Sequence, residues 1–267
     1  MPQFPYRDAA LRKGVSVAGK RQLGLFGENV KRLKTESVED GALIKALNSS
    51  TACVSWSDDD RQWVRKRVLH TQRPALLAEI LGWLLSVELD VPVPDGAVTG
   101  EGEDLSWLSE VLPYAQHWMP ARYKYVQNLD DLGRMLALDA IIFNPDRHER
   151  NILVTTSSSD LELRVWSIDL GESLLGQPRR LAAAGLTLPE LEVVPEQLPL
   201  PLIRDGATAA AGAAELITKS LLKSFVDEAC HIVGERRSEE LLGALWHRTR
   251  HAQRLVAEYL RKLETAQ

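Results

Sequence analysis

The sequence lacks the features that mark several large classes of protein. It holds two cysteines in 267 residues, Cys53 and Cys230, too few and too far apart for a disulfide framework or a zinc site. Its longest apolar run, residues 75–89, is interrupted by Glu79 and is too short to span a bilayer. The first residues carry no apolar stretch of the kind that secretory signals need. These absences favour a reducing, cytoplasmic setting without membrane insertion.

An excess of basic charge is also missing. The formal net charge is −5, which argues against sequence-independent binding of nucleic acid, because that binding needs a basic surface. The apolar content of 45% and the charged content of 26% are those of an ordinary globular protein. The length is sufficient for one large domain or for two lobes with a substantial core. We therefore expect a globular protein with no nucleic-acid partner.

The stretch from residue 139 to residue 171 combines polar and charged residues with hydrophobic flanks. Asp146 precedes Asn151 by five positions, in a loop between a helix-like apolar run and a strand-like one. A second alternating run leads to Asp169, two residues before Gly171. Phosphoryl transfer needs an oriented acceptor hydroxyl and a metal ion that neutralises the triphosphate. Magnesium takes oxygen ligands, of which the protein often supplies only one or two.

This pattern predicts a role for each of the three polar residues. Asp146 would orient or deprotonate the acceptor hydroxyl, while Asn151 and Asp169 would hold the metal. The alternative is a hairpin with a charged turn. In that case Asp146 and Arg147 cap backbone groups, and the segment around Asp169 is a simple turn.

Two short motifs carry a resemblance to a known family. Residues 144–153 read Asn-Pro-Asp-Arg-His-Glu-Arg-Asn-Ile-Leu, and residues 168–171 read Ile-Asp-Leu-Gly. They resemble the signature of the HipA-like and phosphatidylinositol 3/4-kinase branch of the kinase superfamily, Asp-Arg-His-x-x-Asn followed by Ile-Asp-Phe-Gly, with Leu170 in place of the phenylalanine. The resemblance implies that His148 assists the transfer, so His148 and Asp146 compete for the role of base. Alternatively, His148 is a loop histidine that only binds backbone groups.

A lysine lies on the inward face of a predicted hairpin. Val64 and Lys66 share one face of the strand that follows the acidic turn at residues 57–60. An ammonium group among inward-facing apolar residues needs an anionic partner, because desolvating it unpaired is costly. In kinases the partners are the ATP phosphates and a glutamate of the next helix. Glu79, in the predicted helix 74–89, is the candidate, whereas the alternative is that Lys66 and Glu79 are both solvated.

The remaining nucleotide contacts have weaker support. Kinases cover the phosphates with a glycine-rich loop, but the corresponding loop here contains no glycine. The candidate phosphate donors are the hydroxyl and backbone groups of Ser49, Ser50 and Thr51. Val111 and Leu112 fall where a hinge between two lobes would lie, and we expect them to contact the adenine edge.

The spacing of apolar residues predicts helices in the second half of the chain. One begins after Asn128, whose side chain is expected to cap it. Two amphipathic helices are predicted at residues 214–233 and 238–263, the second opened by Ser238. The proline-rich segment 197–201 is not expected to be helical.

Together these features predict an α+β, two-lobed protein-kinase-like fold. A β-rich small lobe, residues 1–112, would carry the ATP-binding lysine, and a mainly helical large lobe would follow at residues 113–267. The predicted function is an ATP- and Mg²⁺-dependent phosphotransferase, most simply a HipA-like Ser/Thr protein kinase with a protein substrate. Three alternatives remain open: a lipid or small-molecule kinase, a catalytically silent nucleotide-binding regulator, and a helical interaction protein with an accidental motif.

Overall fold

The structure is a computed structural model. The chain divides into two units, residues 1–30 and 31–267. The structure describes residues 33–43, 52–67, 73–156, 162–176, 178–190 and 198–266. The predicted phosphate donors Ser49, Ser50 and Thr51 lie outside these described residues.

A six-stranded sheet forms the β-rich part of the molecule. Its strands are β1 (Lys34–Thr35), β2 (Val38–Leu43), β3 (Ala52–Ser57), β4 (Gln62–Arg67), β5 (Gly96–Thr99) and β6 (Ser106–Glu110). They lie in the order β1-β5-β6-β4-β3-β2, and the pairs are antiparallel except for the parallel pair β1–β5. The predicted hairpin is β3–β4. Lys66 is opposite Ala52 on one side and Trp107 on the other, so these three side chains share one face of the sheet.

Helix α1 (Arg73–Glu88) follows the hairpin, close to its predicted bounds. Every residue from 76 to 86 is buried, which explains why its apolar residues show no single stripe. One side of the helix meets the sheet, where Trp83 and Trp107 make an edge-to-face contact with ring centroids 6.5 Å apart. The indole N–H of Trp83 donates to the carbonyl oxygen of Pro94 at 3.0 Å. Helix α1 is therefore fixed against β6.

The rest of the chain is mainly helical and carries one small sheet. That antiparallel sheet, in the order β7-β8-β9, consists of β7 (Gln116–His117), β8 (Ile152–Thr156) and β9 (Leu163–Ser167). The helices are α2 (Leu129–Ile142), α3 (Pro178–Ala184), α4 (Leu200–Leu216), α5 (Lys219–Val233), α6 (Ser238–Thr249) and α7 (Ala252–Ala266). The predicted two-lobed α+β class, with a β-rich part and a helical part, is confirmed.

Helices α2 and α4 cross at very short range through two glycines. A Cβ atom on Gly133 would overlap the backbone of Ile203 and Ala207, and one on Gly206 would overlap the backbone of Asp130. Backbone atoms cannot move aside as a side-chain tip can, so only glycine fits at these two positions. The crossing fixes the first turns of α2 against α4.

Two predictions of helix boundaries are wrong. The predicted helix 214–233 is the end of α4 followed by α5, and the break is at Thr218, whose hydroxyl accepts a hydrogen bond from the Leu221 N–H at 3.2 Å. The predicted helix 238–263 is likewise divided into α6 and α7. The proline-rich segment does become helical from residue 200, because Pro201 lies in the first turn, where a missing N–H costs nothing.

One predicted helix cap is also wrong. Asn128 precedes α2, but its side chain makes no cap. Instead its amide accepts from the N–H of Val165 at 2.9 Å and donates to the carbonyl oxygen of Val165 at 3.2 Å, which ties α2 to β9. Ser238 opens α6 as predicted, and Arg237 takes the cap position without a side-chain bond.

Cys53 and Cys230 are both buried free thiols. Among the residues that the structure describes, no helix has the length and apolar character required to cross a membrane.

Candidate functional site

Lys66 lies between two carboxylates that come from different parts of the fold. Its Nζ is 2.6 Å from Oε1 of Glu79 on α1 and 2.8 Å from Oδ1 of Asp169, which follows β9. The second carboxylate oxygen of Glu79 accepts the backbone N–H of Leu170 at 3.1 Å. Lys66, Glu79 and Asp169, hereafter the ion triad, therefore join the six-stranded sheet, α1 and the segment after the small sheet.

Lys66 attracts both carboxylates of the ion triad, while the two carboxylates repel each other. Burial would lower the pKa of Lys66, but the attraction of Glu79 and Asp169 outweighs it and the pKa is raised. Burial would raise the pKa of Asp169, yet Lys66 lowers it below its ordinary value. Burial dominates for Glu79 and raises its pKa against the attraction of Lys66. At neutral pH Lys66 is thus a cation and Asp169 an anion, with side chains 28% and 43% exposed and so open to a ligand.

The segment at Asp169 is held by α1. Asp169 has φ +59°, a left-handed conformation that is uncommon outside glycine. The buried side chain of Leu170 fills the space beside Gly82, where a Cβ atom would come within 2.7 Å of the leucine Cδ1. Since Glu79 binds the N–H of Leu170 from the same helix, the position of Asp169 depends on the position of α1.

The loop between α2 and β8 brings Asp146 and Asn151 together. The amide nitrogen of Asn151 donates to the carbonyl oxygen of Asp146 at 2.7 Å and to its Oδ2 at 2.9 Å. Both hydrogens of that amide are then used, so the oxygen atom of the Asn151 side chain is the group left for a cation. The Asp146 side chain is 36% exposed, and an acceptor hydroxyl could approach it.

His148 has a defined orientation beside Asp146. Its Nδ1 accepts the backbone N–H of Arg150 at 3.1 Å, so the neutral imidazole carries its proton on Nε2. That Nε2 lies 3.6 Å from Oδ1 of Asp146. In this tautomer His148 presents a donor to Asp146, and Asp146 keeps the acceptor oxygens.

Arg147 anchors this loop, and the sequence patterns did not reveal it. Its side chain is completely buried, and Nε and Nη2 bind the two carboxylate oxygens of Asp139 at 2.8 and 2.9 Å. Nη2 also donates to the hydroxyl of Ser167 at 2.9 Å. Nη1 donates to the carbonyl oxygens of Asn151 at 2.6 Å and Ile168 at 3.4 Å. The sequence offered one indication of this contact. Asp139 lies inside the apolar helix run 132–143, and a buried anion requires a buried cation.

Asn144 completes the anchor. Its amide nitrogen donates to Oδ1 of Asp139 at 2.7 Å, and its amide oxygen accepts the backbone N–H of Asp146 at 3.2 Å. The side chain of Asn144 is fully buried. We call Asp139, Asn144, Arg147 and Ser167 the loop anchor. It fixes the backbone on both sides of Asp146.

A second buried arginine supports the end of α2. Arg248 on α6 donates to the carbonyl oxygens of Ala140 at 2.6 Å and Ile141 at 2.7 Å, which the helix end leaves without backbone partners. It also binds the carbonyl oxygens of Gly185 at 2.6 Å and Thr187 at 3.0 Å. Burial lowers the pKa of Arg248 to about 10, which keeps it charged at neutral pH.

Hydrogen bonds within the protein limit which backbone groups of Val111 and Leu112 could contact an adenine edge. The N–H of Val111 donates to the carbonyl oxygen of Gln62 at 2.9 Å, so that donor is engaged and cannot also bind an adenine edge. A contact by Val111 would have to use its carbonyl oxygen. The carbonyl oxygen of Leu112 accepts the N–H of Ala115 at 3.4 Å.

A small cavity lies beside Glu79 and Asp169 of the ion triad. It has a volume of about 20 Å³ and is lined by α1, β6 and the segment after β9. This is room for one water molecule. Trp83 and Trp107 belong to its wall.

The donor atoms fit magnesium better than a transition metal. Among the residues that the structure describes, no three His, Cys, Asp or Glu side chains converge at metal-binding distance. Magnesium does not need such a cage, because phosphate oxygens and water complete its coordination beside one or two protein oxygens. The carboxylate of Asp169 and the amide oxygen of Asn151 are ligands of that kind.

Comparison with known proteins shows a similarity of fold. No family model matches the chain, and no curated protein sequence matches it. Among solved structures, it is similar to the crystal structure of a Helicobacter pylori proinflammatory kinase, CtkA, with a TM-score of 0.56 and 10% sequence identity. The alignment covers 88% of this chain and 99% of that chain. At this identity the likeness shows a kinase-like fold, without assigning a branch of the superfamily.

Proposed function

We propose that the chain is an ATP-dependent phosphotransferase that transfers the γ-phosphoryl group of ATP to an acceptor hydroxyl. The observation that carries this proposal is the ion triad. A partly exposed lysine, charged at neutral pH, lies within 2.8 Å of two carboxylates from separate elements. This is the arrangement with which kinases bind the triphosphate and orient its metal. The similarity in fold to a kinase supports the same reaction class.

Each residue of the candidate site would have a separate role in this reaction. Lys66 would bind the α- and β-phosphates, and Glu79 would keep its ammonium group in place. Asp169 and Asn151 would hold Mg²⁺, which neutralises the charge on the phosphates when it is bound. The two lobes would be residues 1–112 and 113–267, with Val111 and Leu112 at the hinge and the hydroxyls of Ser49, Ser50 and Thr51 as phosphate donors.

Asp146 is the better candidate for the base. A base must present a free acceptor within hydrogen-bond reach of the acceptor hydroxyl. Asp146 is partly exposed and has acceptor oxygens, whereas the Nδ1 of His148 is already bonded to Arg150. His148 lies beside Asp146, with its Nε2 3.6 Å from Oδ1, and would supply a nearby proton instead of accepting one. The simplest acceptor is a serine or threonine of a protein, by the resemblance of the motif to HipA-like kinases.

The experiment that tests the proposal measures transfer from γ-³²P-labelled ATP. The acceptors are casein, myelin basic protein and a short-chain phosphatidylinositol, so that a protein acceptor is distinguished from a lipid. Asp146→Ala should reduce transfer at least about 100-fold, since a general base contributes that much, while ATP affinity stays unchanged. Asp227→Ala, on the exposed face of α5, is the control and should transfer at the wild-type rate. Transfer by Asp146→Ala at the wild-type rate would refute the role of Asp146.

A further inference from the structure

Arg147 contacts the backbone of both candidate metal-binding segments with a single nitrogen atom. Nη1 donates to the carbonyl oxygen of Asn151 at 2.6 Å and to that of Ile168 at 3.4 Å. Ile168 directly precedes Asp169 in the chain. The N–H of Ile168 also donates to the Asn151 carbonyl oxygen at 3.2 Å. The guanidinium group thus lies where the two segments meet.

The guanidinium group cannot shift within its site. Asp139 binds it through both carboxylate oxygens, and Ser167 accepts a further hydrogen bond. Asp139 is in turn fixed by Asn144 at 2.7 Å. Both members of the ion pair are completely buried, so water cannot replace any of these contacts without opening the core. A planar group held on two edges transmits a fixed geometry to whatever its third edge binds.

We propose that Arg147 is a positioning residue that sets the separation of Asn151 and Asp169, so that their oxygen atoms are spaced for Mg²⁺ before the metal binds. The inference rests on the proposed function, because it needs that metal site. Magnesium requires near-octahedral geometry at short ligand distances and tolerates misplaced ligands poorly. Lysine cannot replace Arg147, since an ammonium group lacks the planar fork that reaches Asp139, Ser167 and the two carbonyl oxygens together.

The chain offers a matched control for this idea. Arg248 is as completely buried as Arg147 and also binds backbone carbonyl oxygens, but those belong to residues 140, 141, 185 and 187. It has no contact with Asn151 or Ile168 among its hydrogen bonds in the described part of the chain. Arg147→Lys and Arg248→Lys therefore remove the same chemical group from equally buried sites. Only Arg147→Lys removes it from the metal-binding segments.

The test uses Mn²⁺ as a spectroscopic probe in place of Mg²⁺. Electron paramagnetic resonance measures Mn²⁺ affinity on the full chain saturated with a non-hydrolysable ATP analogue, and calorimetry measures binding of that analogue without metal. Arg147→Lys should bind Mn²⁺ about 10- to 100-fold more weakly, the usual cost of losing an outer-shell partner, with unchanged affinity for the analogue alone. Arg248→Lys should lose stability but keep the wild-type Mn²⁺ affinity. Equal Mn²⁺ affinity in Arg147→Lys and wild type, or an equal loss in both variants, would overturn the proposal.

The remaining outcomes are also decisive. If Arg147→Lys does not fold, Asp139→Asn replaces it, because it keeps the shape of the site and weakens the grip on the guanidinium group. Weaker Mn²⁺ binding by Asp139→Asn with unchanged analogue affinity supports the positioning role, and unchanged Mn²⁺ binding overturns it. A wild-type chain that binds no Mn²⁺ with the analogue refutes the proposed function itself and the inference with it. If the wild type binds Mn²⁺ and the variants bind it equally well, only the role of Arg147 is refuted.

Discussion

The two halves of the candidate site are held together by different means. The ion triad joins Lys66, Glu79 and Asp169 by charge, and the side chains of Lys66 and Asp169 are 28% and 43% exposed. The loop anchor joins Asp139 and Arg147 with no exposure at all. Solvent can replace the contacts of the triad, so the ammonium group of Lys66 can exchange its carboxylate partners for a ligand without unfolding. The anchor cannot open while the core is intact. The site therefore combines an adjustable side that carries Lys66 with a rigid side that carries Asp146 and Asn151.

The largest effect should come from breaking the loop anchor. Asp139→Ala leaves the guanidinium group of Arg147 buried without its counter-ion, which costs about 3–5 kcal/mol of unfolding free energy. Urea unfolding followed by circular dichroism measures it. Asp130→Ala, at an exposed position in the first turn of the same helix, is the control and should cost less than about 1 kcal/mol. Equal losses in the two variants would mean that the anchor is not what holds this side rigid.

Breaking the ion triad should affect ligand binding more than stability. Lys66→Met removes the cation that would contact the phosphates, and a hydrogen bond to a charged group contributes about 1.5–3 kcal/mol, so ATP affinity should fall about 10- to 100-fold. Calorimetry with Mg·ATP gives the affinity. Lys223→Met, whose lysine forms an exposed pair with Asp227, should bind ATP normally. Normal ATP affinity in Lys66→Met would mean that Lys66 does not contact ATP. The ion triad would then not be the ligand-binding side of the site.

The rigid side of the site, which carries Asp146 and Asn151, should also depend on the crossing of α2 and α4. Gly206→Ala forces a methyl group into the backbone of Asp130 and should lower the unfolding free energy by about 1–3 kcal/mol or more. Gly212, on the same helix, has no atom of the described residues near its missing Cβ. Gly212→Ala should therefore raise stability by about 0.5–1 kcal/mol, the gain from replacing a helical glycine. Thermal unfolding of both variants tests this, and opposite signs are the predicted result.

The smallest effect is a pH dependence of the ion triad. Lys66 lowers the pKa of Asp169, so the stabilising contribution of that carboxylate is present above its ordinary pKa of about 3.9 and is lost as the pH falls through the lower folded value. The melting temperatures of wild type and Asp169→Asn should therefore differ most near neutral pH and converge below about pH 4. Melting curves between pH 3 and pH 7 measure the difference. A gap that widens toward low pH would contradict this assignment of charge.

The sequence predicted those parts of the site whose chemistry follows from residue type and spacing. Lys66 stood on an inward strand face and needed an anion, and the structure pairs it with Glu79. Asp146 and Asn151 were predicted to share one loop, and they are hydrogen-bonded there. The functional roles of these residues remain predictions, to be decided by the experiments above. The fold class was predictable for a related reason, since alternating and helical apolar periods separate the two halves of the chain.

Long-range polar contacts could not be predicted in the same way. Arg248 binds carbonyl oxygens more than 100 positions earlier in the chain, and Asn128 binds Val165 instead of capping its own helix. Backbone acceptors are present at every residue, so no sequence pattern marks which of them a buried arginine will bind. The start of the helix after Pro199 was missed because the prolines of residues 197–201 were expected to prevent a regular helix. Gly206 is required by the crossing with α2.

The central claim is that Asp169 binds a metal together with ATP, and the melting temperature tests it most directly. Wild type and Asp169→Ala would be melted with ATP alone, with Mg²⁺ alone and with Mg·ATP. A ligand at 100 times its dissociation constant stabilises the folded state by about 2.7 kcal/mol, which gives a clear shift. The account predicts that Mg·ATP stabilises wild type more than either component alone, and that Asp169→Ala loses this increment. The absence of any shift in wild type, or the same Mg·ATP shift in Asp169→Ala, would contradict it.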